Sequence, residues 1–296
     1  MNYILLHKQY GYVSISMTLD KMEEECSMLV KQNRGDWIIR EKGGKISHPD
    51  SIREVMRGSN IINWGNRIFA DDYLFKINKP SGIRNASDKT RARNLLQKAG
   101  VAVPHTTFYG EQIPQYPFIA RPTNHHGGKG FYVIRNKTDA ATLWKEFGEE
   151  MQDWYFSEVF DKTHEFRVHV ASGKSLIVHT KPAPEDKTEL RWNHIVNHDA
   201  WRALRWSERE DIQTVINQES IKACEVLGLD YAAVDIMWND EKGVGAICEV
   251  NTSPSINTEY SSGKYAAYFD WLIRHDFPKP QNLGGKSIFY NKLLRE

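Results

Sequence analysis

The stretch that most constrains this chain is AICEVNTSPSIN, Ala246–Asn257. An apolar run breaks to place a glutamate and an asparagine two residues apart. Strand alternation puts Glu249 and Asn251 on one face, with Cys248 and Val250 on the other. Upstream, YAAVDIMW reads as a partner strand, and NDEKG as the turn of a hairpin centred near Lys242. Counting outward from Lys242 brings Asp235 opposite Glu249. Two carboxylates facing each other across a ladder repel and destabilise it. A hard cation between them removes the penalty, and Asn251 adds an oxygen on the same face. So few protein ligands leave coordination positions open, which suits Mg²⁺ shared with a nucleotide's phosphates. Taken alone, the hairpin also reads as a solvated polar edge.

Composition narrows the classes. A chain of 296 residues, 40% hydrophobic and 26% charged, has ample material for one large domain or two to three small ones. A formal net charge of +1 gives no whole-molecule attraction to nucleic acid or an anionic membrane. The Arg- and Trp-bearing stretch KTELRWNHIVNHDAWRALRW, with Trp192, Trp201 and Trp206, is better read as a lid plus packing aromatics than as a nucleic-acid surface. No apolar run approaches the roughly 18 residues of a membrane span, and MNYILLHKQYGY lacks the charged and apolar regions of a signal peptide. The three cysteines, Cys26, Cys224 and Cys248, are odd in number and match no metal spacing. They read as reduced thiols of a cytoplasmic protein.

Along the first third, YILLH, DWIIR and NIINWGN read as strands alternating with helices at TLDKMEEECSMLVKQN and PDSIREVMRG, the pattern of a parallel sheet. NASDKTRARNLLQKAG reads as one helix capped by Ser87, with Leu95, Leu96 and Ala99 facing inward. YPFIARP and KGFYVIRN are strands joined by the glycine-bearing loop TNHHGGKG. A helix follows near DAATLWKEFGEEM, then strands at WYFSEVF, HEFRVHV and KSLIVHT. The loop at PAPEDKTELRWNHIVNHDAW is long enough for a functional lid. ESIKACEVLGL and GKYAAYFDWLIRHD are helical.

Two more clusters carry chemistry. In FIARPTNHHGGKG a strand delivers Arg121, and Gly127, Gly128 and Gly130 free backbone N–H groups to approach phosphate. The plain alternative is a flexible hairpin loop, and the adjacent His125 and His126 are loop residues rather than metal ligands. In EVFDKTHEFRVHV, Glu165, Arg167 and His169 share one strand face and line a cleft or a solvated surface, while Phe166, Val168 and Val170 fill the other. The preceding YFSEVF suits a flat purine held at its edge by backbone groups.

In this order, over roughly Ser87 to Asn257, these residues resemble the ATP-grasp superfamily of carboxylate–amine ligases, with the D-alanine–D-alanine ligase type and the ribosomal-protein glutamate ligase and lysine-biosynthesis type as the nearest look-alikes. EVNTSP is similar to that family's metal-binding signature, and SDKTRARNLLQKAGVAVP to its DK…L…G…P helix. The resemblance implies an ATP-grasp fold, α/β and α+β, behind an N-terminal doubly wound domain. It divides the chain into an N-terminal domain (1–85), a central subdomain with the phosphate loop (86–158) and a C-terminal subdomain with the metal ligands (159–296). By position it implies that Lys89 and Arg121 hold ATP phosphates, and that Gly127 and Gly128 lie in the loop closing over them. Glu158, Val159 and Phe160 would surround adenine, Glu165 the ribose, and Asp235, Glu249 and Asn251 would hold two Mg²⁺ ions, with Mn²⁺ as a substitute. Arg191 and Asn193 resemble an R-x-N motif of the glutamate-ligase branch beside the γ-phosphate, and Lys181 stands where that branch places a cation. The family usually has lysine where this chain has Arg121, a planar fork in place of a point charge.

What the resemblance implies is ATP-dependent ligation through an acylphosphate. Arg167, Arg191, Asn193 and Lys181 would serve as catalytic groups on small-molecule or peptide and protein carboxylates and amines. By analogy the chain is compatible with a homo-oligomer. A kinase on the same fold and a non-catalytic nucleotide-binding module are the alternatives.

Overall fold

The computed structural model describes residues 2–7, 59–67, 71–123, 130–181, 202–205, 208–254, 256 and 258–274. The helices expected at 18–33 and 49–58, the strand at DWIIR, the phosphate loop at 124–129 and the lid at 182–201 lie outside the described residues. Within them stand three sheets.

The first sheet is parallel, as the alternating pattern predicts: β1 (Asn2–His7), β2 (Ser59–Trp64) and β3 (Phe75–Ile77). Trp64 leaves it to stack on Tyr231 at 4.9 Å, within an aromatic core completed by Tyr265 and Phe269 of a C-terminal helix, α5 (Glu259–Arg274).

After β3 the expected single helix is two. Pro80 opens α1 (Pro80–Ser87) in the first turn, where its missing N–H costs nothing. Asp88 then turns extended, and its side chain accepts a 3.0 Å hydrogen bond from the Arg91 amide to cap α2 (Lys89–Lys98). The cap is therefore Asp88, and Ser87 is the last residue of the preceding helix. Ala92 and Leu96 form the buried stripe of α2, with Leu95 partly buried against them. Ala99 is exposed, because the helix has ended before it.

The second sheet is antiparallel, ordered β4 (Thr106–Phe108), β7 (Trp154–Glu158), β5 (Phe118–Pro122), β6 (Tyr132–Ile134). Helix α3 (Lys137–Phe147) covers one face, with Leu143 packed among Phe118, Ala120 and Phe156. Asn136 caps α3 by accepting from the Asp139 amide.

The third and largest sheet runs β10 (Arg202–Ala203), β9 (Lys174–Lys181), β8 (His164–Ala171), β11 (Tyr231–Asn239), β12 (Val244–Asn251). Its apolar face carries Phe166, Val168, Val170, Val234, Ile236, Ile247 and Val250. Against these pack α1, α2 and α4 (Glu210–Leu227). Helix α1 crosses the end of α4 so closely that a Cβ on Gly82 would lie 2.2 Å from the Gly228 carbonyl, so only glycine fits there. The other face of this sheet builds the site.

Candidate active site

Strand parity brings the polar residues together. Across the large sheet, Asp235 on β11 pairs with Arg167 on β8 and with Glu249 on β12, so the three stand in one row. The next row holds His169, Ala233 and Asn251, and the row on the other side holds Lys181, Glu165 and Met237. The carboxylate pair read from the hairpin is thus present, though the ladder reaches it by an unforeseen route. Next to the turn, Asn239 faces Val244 and Ile236 faces Ile247. A bulge then inserts Cys248, and Asp235 faces Glu249. Simple alternation puts Cys248 on the far side. Two residues now oppose one at the bulge, and Cys248 lines the cleft beside Glu249.

Asp235, Glu249 and Glu165 are each held by a cation. Arg167 grips Asp235 with two hydrogen bonds, Nε to Oδ1 at 2.6 Å and a terminal nitrogen to Oδ2 at 2.8 Å. Asn251 Nδ2 reaches the same Oδ2 at 3.4 Å. Burial pushes the Asp235 carboxyl above its usual range, the Arg167 charge and hydrogen bonds oppose it, and the neighbouring Glu249 and Glu165 add to the rise. Lys89 Nζ, from the first turn of α2, lies 3.0 Å from Glu249 Oε2. Burial raises the Glu249 pKa, but Lys89, Arg121 and Arg167 more than offset this and hold the carboxyl below its usual range. Lys162, fully buried, meets Glu165 Oε1 at 2.8 Å.

These groups border a cleft between the second and third sheets. Its apolar lining comes from Ile119, Phe131, Val159, Phe160 and Met237, and its charged lining from Arg93, Arg121, Glu158, Glu165, Asp235 and Glu249. Lys89 lines an adjoining hollow that shares Glu249 and Cys248. Arg121 lies over the Phe131 ring at 5.3 Å. Glu158, at the end of β7, accepts from the His105 amide at 3.0 Å and joins the segment leading into β8.

Of the residues proposed from sequence, Lys89, Arg121, Glu158, Val159, Phe160, Glu165, Asp235 and Glu249 therefore converge on one cleft region, with Arg167 and Asn251 bonded to Asp235. Lys181 pairs through its backbone with Glu165. Gly127, Gly128, Arg191 and Asn193 lie outside the described residues. Sequence reasoning missed Arg93 and Lys162. Arg93 carried a signal, following Lys89 by four residues, one helical turn. Lys162 stands in the irregular segment before β8, where its spacing to Glu165 has no helical meaning.

Asp235, Glu249 and Asn251 offer two carboxylates and one amide oxygen, a donor set that fits a hard, oxygen-preferring cation completed by phosphate oxygens and water. Among the described residues no three His, Cys, Asp or Glu side chains gather as a metal cluster. A cation here would thus draw on Asn251 and on its ligand's oxygens.

No protein-family model matches the chain. In sequence it is 23% identical over 278 residues to a probable alpha-L-glutamate ligase of Vibrio parahaemolyticus serotype O3:K6 (strain RIMD 2210633), covering 88% of each chain. It is 24% identical over 212 residues to the D-alanine–D-alanine ligase of Fusobacterium nucleatum subsp. nucleatum, covering 68% of this chain and 69% of that one. In structure it resembles the D-alanine–D-alanine ligase from Bacillus anthracis, with a TM-score of 0.61 at 14% identity, covering 95% of this chain and 99% of that one. The same ligase complexed with ATP superposes with a TM-score of 0.59. The fold is ATP-grasp. Relatives and fold together support an ATP-dependent carboxylate–amine ligase.

Proposed function

We propose that this ligase activates a carboxylate as an acylphosphate at the expense of Mg·ATP and then passes the acyl group to an amine. The carrying observation is the pairing of Asp235 with Glu249 on the cleft wall, flanked by Arg167 and Lys89. A carboxylate oxygen attacks the γ-phosphorus, the bond from that phosphorus to the β–γ bridging oxygen breaks, and ADP leaves. The amine then attacks the acyl carbon, phosphate departs, and the amine gives up a proton.

The chain's part is positioning and charge compensation. Lys89 and Arg121 hold phosphates, and Gly127 and Gly128 are assigned to the same phosphates by the resemblance. Glu158, Val159 and Phe160 border adenine, and Glu165 accepts from the ribose hydroxyls. Arg167, with Lys181, Arg191 and Asn193, is assigned the compensation of charge on the transferring group. Asp235, Glu249 and Asn251 would hold Mg²⁺, which offsets phosphate charge when bound. The division at 85/86 and 158/159 belongs to the same reading and sets β7 and β8 on either side of the nucleotide hinge. The names of the relatives favour an amino acid or peptide as carboxylate donor. A cytoplasmic setting belongs to the same reading.

The test is ADP release from Mg·ATP against pooled amino acids, short peptides and polyamines, in wild type and in Glu249→Gln. Release that requires a pooled compound, yields an amide by mass and disappears in the variant is expected. Full release by Glu249→Gln would sink the site assignment, and a stable phosphate ester as product would sink ligation.

A further inference from the structure

The cations around the cleft are mostly answered by carboxylates: Lys89 by Glu249, Lys162 by Glu165 and Arg167 by Asp235. Arg93 differs. Among the described residues its guanidinium makes one hydrogen bond, to the neutral hydroxyl of Thr106 at 2.8 Å, and no ion pair. Yet its orientation is set from two directions. The Thr106 hydroxyl is itself fixed by donating to the Pro104 carbonyl at 2.8 Å. The guanidinium also lies over the ring of Tyr155, 5.3 Å from its centroid, and Tyr155 is only 1% exposed. An arginine keeps its proton at any physiological pH and can only donate. A half-buried, pre-oriented positive charge with no counter-charge is poised for an anion, since a paired charge costs far less than a lone one.

Position says which part of an anionic ligand it meets. Arg93 follows Lys89 by one turn of α2, about 5.4 Å along the axis. Lys89 is drawn to Glu249, whereas Arg93 sits at Tyr155 and Thr106. Tyr155 is the ladder partner of Arg121 and lies three residues before Glu158, where the apolar lining of Val159 and Phe160 begins. Arg93 thus stands between the carboxylate end of the cleft and its apolar end.

We propose that Arg93 is a further nucleotide-binding residue, donating to the phosphate nearest the sugar. The proposal rests on the ATP reading given above. Lys89 then serves the phosphates nearer the carboxylates, and α2 spaces the two cations by one turn.

The experiment measures affinities for ATP, ADP, AMP and adenosine by competition with a fluorescent ATP analogue, in wild type, Arg93→Met and Arg93→Lys. Arg93→Met should weaken ATP, ADP and AMP alike by about 10- to 100-fold, the worth of a hydrogen bond to a charged group. It should leave adenosine unchanged, and Arg93→Lys should recover part of the loss. Equal weakening of adenosine would overturn the phosphate contact in favour of a contact to base or sugar. Unchanged ATP affinity would overturn any contact. Should Met disturb the packing over Tyr155, seen as a lost unfolding transition, Arg93→Gln reads the same ratio with a polar side chain in place. Wild-type protein without ATP affinity would instead overturn the nucleotide reading itself, a separate failure.

Discussion

The two faces of the large sheet are made by the same strands, one residue out of phase. Phe166, Val168 and Val234 point into a core shared with α1, α2 and α4, while Glu165, Arg167 and Asp235 line the other side. The apolar face gains by excluding water, at about 25 cal/mol per Å² of apolar surface. The polar face gains little from burying its charges, since taking a carboxylate and a guanidinium out of water costs about what their pairing returns. The difference teaches that stability and chemistry are kept apart here by strand parity alone. On that view a change on one face unfolds the protein, and a change on the other disables it.

Arg167 is where the separation should fail most. Its side chain and that of Asp235 are only 13% and 14% exposed, so Arg167→Met strands a buried carboxylate. Urea unfolding should show a loss of about 3–5 kcal/mol, as large as for Phe166→Ala on the apolar face. A loss well under that would mean that Asp235 finds another partner or water. A smaller breach comes from two histidines on the polar side. His169 bonds Tyr265 at 2.9 Å, and His179 lies 3.3 Å from Ser261. Burial, with the Arg167 charge, pushes His179 down from 6.5 to about 4, and His169 moves the same way. As pH falls the unfolded chain takes up the proton first. The stability from a neutral His179 is therefore present above about pH 6.5 and lost on the way to about pH 4, by about 3 kcal/mol at most. His179→Gln should flatten the pH dependence of the urea midpoint across that window, and an unchanged slope would acquit His179. The smallest stability effect should belong to Glu249→Gln. Its side chain is 38% exposed, and losing its pair with Lys89 should cost less than about 1 kcal/mol. ADP release should nonetheless vanish. A variant that unfolds would show that the two faces are not separable at that position.

Much of this arrangement is legible from sequence because alternation is a strong signal over long strands. HEFRVHV and YAAVDIMW give the two faces of β8 and β11 directly, and the hairpin is legible too, although its turn-side register alone would set Asp235 against Cys248 and only the bulge brings Glu249 opposite it. What escapes is what alternation does not encode. The bulge at Cys248 is a local backbone choice with no periodic trace. The break between α1 and α2 depends on Asp88 preferring to cap rather than continue a helix, which the neighbouring Ser87 disguises. The pairing of Lys162 with Glu165 is local but set by an irregular turn into β8, and the seat of Arg93 on Tyr155 is tertiary, although its spacing to Lys89 was visible.

The bulge on β12 has a bearing on chemical biology. By admitting one extra residue it leaves a thiol and a carboxylate side by side in the cleft, where a ladder continued regularly from the turn would have set Cys248 opposite Asp235 and turned Glu249 to the core face. Burial raises the Cys248 pKa, so little thiolate is present at neutral pH and freely diffusing alkylating reagents meet a slow nucleophile. A cleft ligand carrying a mild electrophile gains instead from being held in place, through effective concentration rather than intrinsic reactivity. An irregularity of hydrogen bonding thereby becomes a point of selective covalent address.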